Sequence, residues 1–192
     1  MMIRSLSMKN SYLFLHVVML MMVSLCANGS DVLADRLGYY QVNQAFLNVN
    51  NCNETGKPVF YASSYLQVMS YGENPVSYSV SSCDGDSVED LQCDGNYRTT
   101  RLSVEFKGGM EGHYFSAREG IAKDKTPQCT FTALRRRVIP GKGGMLRYER
   151  TDWGVELADY KFECTREMAQ TYFESQSMKC STHIVINAIK VD

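Results

Sequence analysis

Two stretches of this chain alternate apolar and polar residues one for one. Val76, Tyr78 and Val80 interleave with Ser77, Ser79 and Ser81, and Leu102, Val104 and Phe106 interleave with Arg101, Ser103, Glu105 and Lys107. A period of two puts the two sets on opposite faces of a β-strand, so both stretches predict strands with one buried face. Less regular strands are expected over 39–49, 59–69, 113–119, 129–139, 145–150, 155–164 and 183–191. Turn signals separate them: Gly72-Glu73-Asn74-Pro75, Asp94-Gly95-Asn96, Gly108-Gly109 and Pro140-Gly141-Lys142-Gly143-Gly144. The last strand, Ile184 to Val191, is apolar on nearly both faces, which predicts a covered or central place in its sheet.

One segment follows a different period. After Thr165, a residue suited to capping, Met168, Ala169, Tyr172 and Phe173 recur at helical spacing and predict a short helix with one apolar face. The expected fold is therefore all-β: a single antiparallel β-barrel or β-sandwich of about eight to nine strands with one C-terminal helix.

The N-terminus sets the compartment. Arg4 and Lys9 precede the apolar run Leu13–Leu25, which ends in the small residues Ala27 and Gly29. This is the pattern of a secretory signal peptide, and the run is shorter than the ~20 residues that a membrane-spanning helix needs. Residues 1–29 are expected to be removed, Cys26 with them, leaving 30–192 as a single extracellular domain without a membrane anchor. In that oxidising setting Cys52, Cys83, Cys93, Cys129, Cys164 and Cys180 are expected to form three disulfides. Loop length favours Cys83 with Cys93 and Cys164 with Cys180, which pairs Cys52 with Cys129 by elimination. Asn53-Glu54-Thr55 is a glycosylation acceptor beside Cys52.

Charge and motifs narrow the function. Without Arg4 and Lys9 the chain carries a net charge of about −3, which gives no electrostatic case for nucleic acid or anionic membranes. The acidic loop with Asp84, Asp86, Glu89, Asp90 and Asp94 does not have the spacing of the helix–loop–helix calcium site, and it reads as a solvated loop pinned by a disulfide. Gly141-Lys142-Gly143-Gly144 is not a phosphate-binding loop. After the leader only His113 and His183 remain, with no His-Glu-x-x-His zinc motif and no Gly-x-Ser-x-Gly nucleophile elbow. No cofactor is expected.

Two groups of residues are candidates for binding. Arg135, Arg137 and Arg147, with Arg150 at its edge, lie on two strands joined by the glycine-rich turn and would form one basic face for a sulfated glycan or an acidic protein surface. Tyr61 and Tyr65 each offer a rigid ring with a polar tip, and are expected to share a face with Met69.

The mostly β layout ending in strand, helix and strand, with Gly38-Tyr39-Tyr40 near its start, is similar to that of lipocalins. The lipocalin Gly-x-Trp is not matched, because position 40 is Tyr and the sole tryptophan is Trp153. The first functional expectation is a secreted, non-enzymatic binding protein acting through its surface or loops on an extracellular protein or glycan. The resemblance implies an alternative, a lipocalin-like carrier of a small hydrophobic ligand. An extracellular hydrolase is the second alternative.

Overall fold

The structure, a computed structural model, describes residues 34–52, 56–71, 77–94 and 102–191. The expected leader and the acceptor Asn53 lie outside these residues. The chain forms β1 (Gly38–Val49), β2 (Lys57–Val59), β3 (Tyr65–Tyr71), β4 (Ser77–Asp84), β5 (Gln92–Cys93), β6 (Val104–Phe106), β7 (Gly109–Ile121), β8 (Pro127–Pro140), β9 (Met145–Ala158), helix α1 (Arg166–Glu174) and β10 (Lys179–Val191). It is the expected all-β architecture with one C-terminal helix.

All ten strands belong to one antiparallel sheet in the order β5-β4-β3-β1-β10-β9-β8-β7-β6, with β2 added to β1. β10 sits between β1 and β9, as its two apolar faces imply. The sheet is not closed. Between β4 and the β6 end it is joined, among the described residues, by the isolated bridge from Tyr78 to Leu102, whose backbone groups exchange two hydrogen bonds of 3.1 Å.

Local chemistry explains the boundaries. Lys107 and Gly108 both take positive φ in the two-residue turn that joins β6 to β7, the conformation that matches the twist of a tight hairpin. Gly109 follows because a Cβ there would lie 1.8 Å from the Val138 carbonyl oxygen. Two expected strands, 145–150 and 155–164, merge into one continuous β9, since Thr151 to Gly154 keep their ladder partners in β8, but the strand ends at Ala158 and residues 159–164 are irregular. The expected strand 59–69 is instead split, with β2 ending at Val59 and β3 starting at Tyr65. On β4 the serines are as buried as the apolar set: Ser77, Ser79 and Ser81 lie directly opposite the larger Tyr71, Met69 and Gln67, which shade them.

The sheet buries both faces, at different ends of the same strands. Toward the hairpin that joins β8 to β9, Val138, Leu146 and Tyr148 point to the concave side and pack with Tyr40, Leu66, Val68, Val80, Leu102 and Ile186. Toward the other end, Phe131, Ala133, Trp153 and Val155 point to the opposite side and meet Ala169, Met168, Tyr172 and Phe173 of α1. The expected helical stripe is thus docked. Thr165 caps the helix by accepting a 3.3 Å hydrogen bond from the Met168 amide.

The disulfides are Cys83–Cys93, Cys52–Cys180 and Cys129–Cys164. The first is as expected and joins residues directly opposite on β4 and β5. The other two overturn the expected pairing of Cys164 with Cys180 and of Cys52 with Cys129. Cys180 stands opposite Trp153 on β9, whereas Cys129, which holds Cys164, stands opposite Leu157, four residues or about 13 Å further along the same strand. The pairing of β1 with β10 continues in the Asn50 to Ser181 backbone bond and delivers Cys52 to Cys180.

Candidate functional site in the concave face

On the concave face Val80, Ser81 and Ser82 of β4 confront Arg136 of β8, Tyr148 and Arg150 of β9 and Ile184 of β10 across a recess of about 210 Å³. Strands that are far apart in sheet order line one space because the sheet curls. Tyr61, from the segment between β2 and β3, closes one side, and its hydroxyl lies 2.9 Å from the Ser82 hydroxyl. Asp94, just past the Cys83–Cys93 disulfide, is at the rim, with its amide donating to the Ser82 carbonyl at 2.8 Å.

The basic groups of this recess are Arg136 and Arg150, not the expected Arg135, Arg137 and Arg147. Arg136 and Arg150 are direct cross-strand partners, so their side chains leave the sheet on the same face. Arg150 donates to Asp152 at 3.1 Å. Arg136 has no carboxylate within ion-pair distance among the described residues, and its Nε is buried without an acceptor. Burial raises the Tyr148 pKa while Arg136 and Arg150 act to lower it. The phenol is therefore neutral and a donor at physiological pH.

Arg135, Arg137 and Arg147 do share a face, as expected, and it is the opposite one. Arg150 is not among them. Three positions separate it from Arg147, an odd step that turns its side chain through the sheet. The outer arginines have partners on their own face, although Arg135 Nε, like that of Arg136, is buried without an acceptor. Arg137 bonds Glu111 and stacks on the Phe106 ring at 3.7 Å, Arg147 donates to Glu149 at 2.7 Å, and Arg135 lies 5.0 Å from the Trp153 ring centre. In register across four strands, His113, Arg135, Thr151 and His183 form one row, with Glu111, Arg137 and Glu149 in the next. Burial, reinforced by Arg135 and Arg137, holds both histidines below the ordinary imidazole value, against the pull of Glu111 on His113 and of Glu149 on His183.

The two tyrosines part company. Tyr61 lines the recess, whereas Tyr65 is buried and does not line it. The irregular segment before β3 breaks the alternation that would have put them on one face. Arg136 and Tyr148 are not among the expected site residues and Arg150 was expected on the outer face, although parity carried the signal: Arg136 shares its face with Leu134 and Val138, and Arg150 with Leu146 and Tyr148. A second, open groove of about 350 Å³ runs past Gln41, Asn43, Val59 and Phe60 on the other side of Tyr61.

No protein-family model, curated protein or solved structure matches this chain.

Proposed function

We propose that this chain is a secreted, non-enzymatic binding protein that holds a small ligand in the concave recess. The observation that carries the reading is the convergence of Tyr61, Ser82, Arg136, Tyr148 and Arg150 around one space of about 210 Å³. Few convergent polar groups on a partly apolar wall, here Val80 and Ile184, are the usual anatomy of a small-molecule site. Three disulfides suit life in an oxidising, extracellular setting, and no helix among the described residues is long and apolar enough to cross a membrane.

The size of the recess favours a compact, polar ligand over the hydrophobic cargo of the carrier alternative, since it falls below the ~300 Å³ at which drug-sized pockets begin. The outer basic face has less support as a site for a glycan or acidic protein, because Glu111 and Glu149 already neutralise much of it. A hydrolase has less support still. Thr151 lies 2.9 Å from His183 Nδ1 in the manner of a nucleophile and its base, but it is 1% exposed and out of reach of a substrate. Native mass spectrometry of protein secreted by its own source tests the proposal. The expected result is an added small-molecule mass that is lost on denaturation, and that the Tyr61→Ala variant does not retain. Retention of the same mass by Tyr61→Ala would overturn the assignment of the recess.

A further inference from the structure

We infer that the ligand group recognised in the recess is an oxyanion, a carboxylate or phosphate on a small, partly apolar molecule, gripped between Arg136 and Arg150. The inference rests on the reading of the recess as a binding site. Its starting point is a conflict within the fold. Arg136 and Arg150 stand directly opposite each other on β8 and β9, where like charges repel. Arg150 is relieved by Asp152, but Arg136 has no such partner among the described residues, and its Nε has lost water without gaining an acceptor.

A buried charged donor without an acceptor is rare in folded proteins, and one facing a recess points to a partner from outside the chain. An oxyanion answers both faults at once: it accepts from two guanidinium groups and cancels their repulsion. The hydroxyl pair of Tyr61 and Ser82, in which one hydroxyl donates to the other, leaves one O–H as a donor on that wall, while Val80 and Ile184 offer apolar surface to the body of the molecule. Asp94 at the rim works against an anion, and it makes no ion pair with either arginine. This opposition supplies the sharpest test, because neutralising Asp94 should improve an anion site and impair a cation site.

The experiment titrates the intact, disulfide-bonded protein with benzoate, phenyl phosphate and the neutral isostere benzamide, by calorimetry and by the Arg136 Nε–H resonance. Benzoate or phenyl phosphate is expected to bind and shift that resonance, with benzamide at least tenfold weaker; which acid binds tighter separates carboxylate from phosphate. Arg136→Gln should weaken the acid at least tenfold while raising the melting temperature, since it removes an unpaired charge. Asp94→Asn should tighten binding several-fold, and Arg118→Gln, which makes the same charge change as Arg136→Gln but at an exposed position on β7, should leave it unaltered. Benzamide binding as tightly as the acids, or a weaker acid complex in Asp94→Asn, would overturn the oxyanion while leaving the recess as a site. No resonance shift in the recess with any of the three at millimolar concentration would overturn both.

Discussion

His113 and His183 flank Arg135 and Thr151 in a single row across four strands, and the row makes stability depend on pH. Burial holds both imidazoles below their ordinary value of 6.5, so on acidification the unfolded chain takes up protons before the folded chain does. The stability contributed by neutral histidines is therefore fully present above 6.5 and is lost as pH falls below it toward the lower folded-state values. Melting curves should move to lower temperature between neutrality and about pH 5, and the His113→Gln, His183→Gln double variant should show a smaller shift over that interval. Parallel shifts in parent and variant would place the dependence on the carboxylates instead. At this scale the sequence is a good guide to which face a side chain takes. Parity along β8 and β9 separates Arg135, Arg137 and Arg147 from Arg136 and Arg150 without any coordinates. What parity does not tell is which face curls inward and which carboxylates wait there. Glu111 comes from β7, so the neutralisation of Arg137 depends on a contact between residues 26 positions apart.

Helix α1 is too short to persist alone and owes its stability to the surface beneath it. Phe173 lies against Trp153 edge to face at 5.0 Å and against Phe115 at 5.5 Å. It is only partly buried, so Phe173→Ala should cost about 3 kcal/mol, the lower end for emptying an aromatic core site, as measured by denaturant unfolding. Thr165→Ala, which removes the cap, should cost about 1 kcal/mol in the same measurement. The helix, its cap and its buried stripe were all legible, because each depends on residues within a few positions of one another. The disulfides were not. Cys129–Cys164 and Cys52–Cys180 follow from strand registry, and registry is a property of the assembled sheet. Peptide mapping of unreduced protein should find these two pairs along with Cys83–Cys93. A peptide linking Cys164 to Cys180 would contradict the docked position of α1.

Across the whole molecule, order should be graded by place in the sheet, which runs from the two-residue β5 at one edge to the three-residue β6 at the other. β10 lies near the middle, its thirteen residues paired with β1 on one side and β9 on the other. Its Ile186 is fully buried, and with Val185 and Ala188 it joins halves of the sheet that are distant in the chain. The unfolding of β10 therefore removes partners from both neighbours together, whereas that of β6 frees, among the described residues, the edge of β7 and the bridge at Leu102. Amide exchange should be slowest in β10, β9 and β8, limited there by global unfolding, and fastest in β5 and β6, which open locally. Ile186→Ala should lower stability by about 2–5 kcal/mol and speed exchange in β1 and β9 alike. Truncation before Ile184 should abolish cooperative unfolding, because β1 and β9 would then expose two unpaired edges to each other across the gap. Equal exchange rates in β6 and β10, or a cooperative melt after truncation, would mean that the centre of the sheet is not what holds the fold.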